Sequence, residues 1–522
     1  MTNTTQNGAS LEQQAAQSTQ TTDPKPPFIL SLDVGTSSTR TLLFDATGAT
    51  IPSVHAQRPY RLTVTDDGEV SIDADALVDI VAQTVNDALR AAGPMAQQIG
   101  AVAIDTFWHS LLGVDESNNP LTPIITWEDT RPFAVAAELR AQLDAEEIHH
   151  RTGAPLHASF WPAKLRWLAQ NQPDIFKRTA QWISFGEYMH RKFLGKSVCA
   201  LAMASATGLL NTRDRAWDTD LMKVLDVRPE QLSQLGDTHD GLKGLSSEYA
   251  SAWPALRNVP WFPAIGDGAA AAVGSGCANT DTWSLTIGTS SAVRVVLPPE
   301  RAVPASGLWM YLIDAKRAIL GGALSEGGNM LNWIDTTLKL PGLPDAEPLV
   351  SFLKPDGHGL TILPFISGER SLGWHADARM TIMNLHVHIS PADILRAGME
   401  ALAYQLGAVY EQLRDTLKEG DTLPTPQIVG SGGVLLGSLT MQSILADTLG
   451  TPIYPSLDHE ASARGAALLA LEALNVIPDI SKVEPRLASP MKPDAGRGEV
   501  YKKGAERQKK LYQALLANDD GI

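Results

Sequence analysis

Phe28-Ile29-Leu30-Ser31-Leu32-Asp33-Val34-Gly35-Thr36-Ser37-Ser38-Thr39-Arg40-Thr41-Leu42-Leu43-Phe44 is an apolar run, a small hydroxyl-rich turn and a second apolar run, the pattern of a β-hairpin. The same order returns at Trp283-Ser284-Leu285-Thr286-Ile287-Gly288-Thr289-Ser290-Ser291-Ala292-Val293-Arg294-Val295-Val296-Leu297. Both copies read strand, Gly-Thr-Ser-Ser, arginine, strand. Their separation is far beyond the period of a stacked-repeat protein, so the recurrence marks a duplicated domain. A chain of 522 residues is also too long for one core. Two domains with a cleft between them are therefore expected, over residues 27–263 and 264–522, with the boundary near Pro263. Residues 1–26 are rich in Thr, Gln, Ser and Asn and end in a proline cluster, which reads as a disordered tail.

Outward from the first hairpin, Leu77, Val78, Val81, Val85 and Leu89 recur at helical spacing, and residues 102–105 then read as a strand. This alternation favours an α/β architecture. Beyond the second hairpin come Gly321-Gly322 and Gly327-Gly328, an apolar helix from Met330, and a helix over residues 391–413. Ile428-Val429-Gly430-Ser431-Gly432-Gly433 reads as a strand entering a tight turn, and helices follow from Leu439 and Ser462. Residues 500–517 form an amphipathic packing helix. His386-Val387-His388 alternates like an exposed strand and His149-His150 like a polar helix or loop. Neither pair reads as a metal site.

A net charge of −16 argues against a nucleic-acid partner, which would require clustered Lys and Arg. Cys199 and Cys277 are the only cysteines and lie far apart, so neither a disulfide framework nor a zinc site is indicated, and a reducing cytoplasm is expected. No basic start leads into an apolar run, and no apolar stretch has membrane-spanning length, so neither export nor insertion is expected.

A hairpin tip of small residues can wrap phosphates, because glycine allows close backbone approach while Thr and Ser hydroxyls donate beside backbone N–H groups. A single such tip is usually a polar turn; two, one per half, fit the clustered phosphates of ATP held between domains. Asp33, at the end of the first strand, can hold Mg²⁺ or merely shape the turn. Of Arg40 and Arg294, Arg40 is the favoured phosphate contact. Asp267, in Gly266-Asp267-Gly268, opens a small-residue helix, where it can cap the helix and also serve as general base toward an attacking hydroxyl. The chain has neither a Gly-x-x-x-x-Gly-Lys-Ser/Thr loop nor a His-Arg-Asp catalytic loop.

Taken together, Asp33-Val34-Gly35-Thr36-Ser37-Ser38, Thr286-Ile287-Gly288-Thr289-Ser290, Lys164-Leu165-Arg166-Trp167, Asp267, Gly328 and Ser431-Gly432-Gly433 resemble the FGGY carbohydrate kinases of the actin-like ATPase superfamily. The resemblance covers residues 28 to about 475. It implies two ribonuclease-H-like domains with ATP and a sugar meeting in the cleft. It also implies Asp267 as catalytic base, Asp33 and Asp267 at Mg²⁺, and Gly35, Thr36, Ser37, Ser38, Arg40, Gly288, Thr289, Gly328, Gly432, Gly433 and Gly437 around the nucleotide. His109, Trp127, Asp129, Arg131, Ser159, Trp161 and Lys164 are implied for the sugar pocket, with Arg131, Lys164 or His109 as the cation for an acidic sugar.

Within the family the chain looks most similar to gluconate kinases, through residues 122–131, 151–157, Gly368-Glu369-Arg370 and 376–379. Trp161 and Leu435-Leu436-Gly437 depart from the family pattern. Another acceptor such as a ketopentose or glycerol, or a nucleotide-switched binding protein on the same scaffold, remain the alternatives. A homodimer is among the assembly states left open.

Overall fold

A computed structural model describes residues 23–418, 422 and 424–516. Of the expected tail, residues 1–22 lie outside the described residues, as does the final residue of the expected C-terminal helix, whose described extent is Ala495–Leu515.

The first half is built on a five-stranded sheet. Strands β1 (Phe28–Val34), β2 (Ser38–Phe44) and β3 (Thr50–Pro59) form an antiparallel meander. After the helix α1 (Ala74–Ala92), β4 (Ile99–Thr106) and β5 (Ile265–Gly266) add in parallel on the other side of β1. The spatial order is β5-β4-β1-β2-β3. β1 is buried along its whole length, as a central strand covered on both faces must be. Strand pairing thus carries the first sheet past residue 263.

The second sheet repeats this plan. Helix α2 (Asp267–Gly274) leads to β6 (Thr282–Ile287) and β7 (Ser291–Leu297), with β8 (Trp309–Leu312) and β9 (Ala318–Leu324) continuing the antiparallel side. After the long helix α3 (Pro391–Thr416), β10 (Gln427–Ser431) and β11 (Ile453–Pro455) add in parallel beside β6. The order is β8-β9-β7-β6-β10-β11, which is the first sheet's plan with an extra edge strand. The duplication seen in the two hairpins therefore extends to whole ribonuclease-H-like sheets, and the α/β expectation holds. His386-Val387-His388 is exposed but lies in a turn; among the described residues the alternation there has no partner strand.

The halves are joined by α2 and α4 (Ala461–Ala473), each following the last strand of its own sheet. They cross at small residues: a side chain on Gly274 would collide with the Ala461 carbonyl, and one on Gly465 with the Ala270 carbonyl. α4 comes from the second half of the chain yet packs on β1 and β4 of the first sheet. Ser31 Oγ donates to the Ala463 carbonyl at 2.8 Å, and Arg464 Nε to that of Gly48 at 3.0 Å. Among the described residues no helix is long and apolar enough to cross a membrane.

Candidate active site

Both hairpin tips open into one cavity of about 260 Å³ between the sheets. Thr36 and Ser37 of the first tip and Gly288, Thr289 and Ser290 of the second line it, with Asp267, Trp108, His109, Trp127, Glu128, Arg294, Trp309, Tyr311 and Arg370. Gly35 and Ser38 flank the first tip, where the Gly35 N–H donates to the Ser38 carbonyl at 3.0 Å. The glycines named on sequence converge on the second. Gly328 N–H donates to the Gly288 carbonyl at 2.7 Å, and a Cβ on Gly328 would stand 2.9 Å from that oxygen. Gly432, at φ 91°, packs against the backbone of Ile287 and Gly288, a position that requires glycine. Gly433 and Gly437 bound a short helix just beyond, outside the cavity lining, with open space where a side chain would stand.

Asp267 stands where β5 passes into α2, partly buried, accepting from the Gly268 N–H at 2.7 Å. Burial pushes its carboxyl above the ordinary range; Arg294, the Gly268 N–H and Arg370 oppose that push. Asp33 and Asp105 are paired in register on β1 and β4, and β5 brings Asp267 to the same end of the sheet. Asp33 is pushed up to about 6 by burial and by the charges of Asp267 and Glu460, against the pull of Arg40. Asp105 is fully buried, with no N–H or hydroxyl donor at either oxygen among the described residues, and is pushed well up by burial, Asp33 and Asp267. Three desolvated carboxylates at one sheet end, of which only Asp33 has an arginine within ion-pair distance among the described residues, are a donor set suited to a hard divalent ion. Asp105 was legible only as part of a strand, because nothing in its local sequence marks it apart from Asp33.

His109 adopts φ 64°, a backbone conformation uncommon outside glycine that persists only where surroundings enforce it. Burial and nearby Arg370 keep the ring neutral. Its Nδ1 faces the Ala206 carbonyl, so the proton lies there and Nε2 is left as an acceptor. Trp127 Nε1 donates to Thr36 Oγ1 at 3.3 Å, tying that wall of the cavity to the first tip.

Several residues expected at the cavity stand behind it. Lys164 is fully buried and donates to the His109 carbonyl at 2.7 Å, so it props the His109 turn. Trp161 Nε1 donates to Ser110 O at 2.9 Å and Ser159 Oγ to Trp127 O at 2.9 Å, which likewise fixes the wall from behind. Arg131 pairs with Asp129 at 2.6 Å and Glu69 at 3.0 Å and lies 4.5 Å from the Trp167 ring, which leaves neither Arg131 nor Asp129 open to a ligand. The expected carboxylate-binding role of Arg131 and Lys164 is corrected accordingly.

The preference for Arg40 over Arg294 also reverses. Arg40 reaches Asp33 at 3.4 Å and Glu460 at 3.1 Å and is absent from the cavity lining, whereas Arg294 is part of it. The causes are loop length and spacing, since Arg40 follows Gly35 by five residues and Arg294 follows Gly288 by six. Val34 pairs with Thr39 across a four-residue tip, which sets Arg40 opposite Asp33; Ile287 pairs with Ser291 across a three-residue tip, which sets Ala292 opposite Thr286 and Arg294 one step farther on the same face. Arg370, from the segment after β9, had been quoted only as part of a likeness; its chemistry shows when the fold brings it over Trp127, 5.3 Å from the ring.

Comparison with known proteins agrees with this geometry. Residues 28–274 match the model of the FGGY family of carbohydrate kinases, N-terminal domain, and residues 283–474 that of the C-terminal domain. The chain is 25% identical over 474 residues to a gluconokinase of Bacillus subtilis (strain 168), covering 88% of this chain and 90% of that protein. It is 28% identical over 476 residues to a glycerol kinase of Leptothrix cholodnii, covering 88% and 93%. Among solved structures it superposes on a gluconate kinase from Lactobacillus acidophilus with a TM-score of 0.84 at 25% identity, covering 94% and 98% of the two chains. A ligand-bound xylulose kinase from the same organism gives 0.85 at 25% identity, covering 94% and 99%. With both domain models spanning most of the chain and its two sheets carrying their glycine tips into one cavity, the protein belongs to the FGGY family of carbohydrate kinases, phosphotransferases that act on an alcohol group.

Proposed function

We propose that the protein transfers the γ-phosphoryl group of ATP to a hydroxyl of D-gluconate, giving 6-phosphogluconate. The observation that carries the phosphotransfer is the position of Asp267 in the same cavity as both Gly-Thr-Ser-Ser tips. The choice of gluconate draws on the gluconokinase and gluconate kinase among the relatives. The two tips hold the phosphate chain by backbone N–H groups and hydroxyls, and His109 Nε2 accepts from an acceptor hydroxyl. Asp267 takes the proton of the attacking hydroxyl as its oxygen bonds to the γ-phosphorus and ADP leaves. The proton on Asp267 is then lost to solvent as the product departs.

Asp33, Asp105 and Asp267 fit the Mg²⁺ of Mg·ATP, since Asp105 is otherwise a buried carboxylate without donors. When bound, that ion neutralises phosphate charge. Alignment and this neutralisation account for most of the expected acceleration. The test is ADP formation by the purified protein with Mg²⁺ and ATP, supplied in turn with D-gluconate, D-xylulose, D-ribulose, glycerol or no acceptor. A large gluconate-dependent rate is expected. Stimulation by a different acceptor replaces the sugar and keeps the kinase, and turnover indifferent to all of them supports a nucleotide switch instead.

A further inference from the structure

The cavity contains two guanidinium groups to which the described residues offer no ion-pair partner. Arg294 and Arg370 both line it, the Nε of each is shut off from solvent without a hydrogen-bond partner, and neither forms an ion pair among the described residues. Arg294 makes one long contact, Nη1 to Thr286 Oγ1 at 3.4 Å. Arg370 stands over Trp127 and Trp374, 5.3 and 6.0 Å from their rings, and feels the charges of Asp267, Glu326 and Glu128 without forming a hydrogen-bonded ion pair with any of them among the described residues. A guanidinium left unpaired in a desolvated place is costly unless a ligand brings the acceptor.

The location says which acceptor. The carboxylates suited to a metal gather at the ends of β1, β4 and β5, beside the first tip. Arg294 lies against Gly268, the residue after Asp267, within electrostatic reach of that carboxylate and beside Trp108, whose ring also borders the glycine. Trp108, Trp309 and Tyr311 pack on one another there, with ring centroids 4.4 to 5.8 Å apart. The indole nitrogens of Trp108 and Trp309 and the Tyr311 hydroxyl also lack partners. This wall is rich in donors, and a carboxylate, with two acceptor oxygens and no donor, is the group that matches a planar guanidinium fork.

We propose that Arg294 and Arg370 together read the carboxylate of an acidic acceptor and so restrict this kinase to sugar acids over neutral polyols of the same length. The inference rests on the gluconate reading above and adds the residues that enforce it. Arg131 and Lys164 are excluded from that role by their existing partners. Both arginines also draw down the Asp267 carboxyl, so a variant can disturb the base as well as the substrate. The measurement must separate the two.

The test is calorimetric binding of D-gluconate, of sorbitol as its neutral six-carbon counterpart, and of Mg·ADP to wild type, Arg294→Gln, Arg370→Gln and the two Arg→Lys variants. Thermal melting identifies any variant that does not fold, in which case its lysine counterpart is used. Wild type is expected to prefer gluconate. Each Gln variant should weaken gluconate binding by roughly 30-fold or more, as loss of a buried charge partner does. Sorbitol and Mg·ADP binding should move far less, and lysine should restore part of the preference.

If wild type phosphorylates gluconate while the Gln variants lose Mg·ADP affinity instead, the arginines serve phosphate and the inference falls while the gluconate reading stands. If the variants keep the gluconate preference and shift only the pH profile of kcat, they serve Asp267 alone and the inference again falls. A wild type that favours sorbitol or another neutral acceptor overturns both.

Discussion

Asp267 is placed by a chain of local causes: β5 ends against β4, the next residue opens α2, and the Gly268 N–H fixes one carboxylate oxygen at 2.7 Å. Asp267→Asn keeps the shape and the Gly268 contact but cannot take a proton. Turnover should fall by about 10²–10⁴-fold with acceptor and nucleotide binding retained, as read by kcat beside calorimetric titration. Because the base must be ionised and burial raises its pKa in the free enzyme, the acidic limb of the kcat/KM profile should lie above the ordinary carboxylate range, falling away as pH drops. Asp105→Asn replaces a carboxyl by a neutral amide of the same shape, so the rise in Tm on adding Mg²⁺ and the turnover should both shrink. Asp33 and Asp267 were legible as candidates because each adjoins a glycine turn. Asp105 and Arg370 were not, since their roles arise from strand register and from a contact between halves.

The hairpins were the most legible elements, since alternating apolar runs around Gly-Thr-Ser-Ser survive any reading frame of the surrounding chain. What escaped was the one-residue difference in their tips, which together with the extra residue before Arg294 sets the two arginines at different places. β5, two residues long, carries no periodicity of its own and exists because β4 offers it an open edge. Another inter-element contact has a measurable pH signature. His239, in a loop of the first half, sits 3.4 Å from Glu472 on α4, and bonding to Asp237 and Glu472 lifts its pKa to about 9. A histidine raised in the folded state stabilises it fully below its unfolded pKa of about 6.5, and that support is lost as pH climbs through about 9. The Tm advantage of wild type over His239→Gln should therefore shrink across this interval, and an advantage that grew with pH would contradict the assignment.

At the scale of the whole molecule, duplication was readable from the sequence and the mode of joining was not. A small-residue helix such as α2 shows that something packs closely, without naming what. The structure supplies the partner, α4, at the Gly274 and Gly465 crossing. Gly465→Ala should cost about 1–3 kcal/mol in denaturant unfolding by forcing the helices apart, and because the cavity lies between the sheets they join, kcat should fall as well. The same crossing bears on how the chain is made. The sheet that emerges first from a ribosome is covered by a helix encoded near the other end, so the leading half cannot finish its core until residue 473 has been released. Until then that face stays uncovered, and synonymous codon changes between the two hairpins, which alter how long it waits, are the kind of change to which its yield should be sensitive.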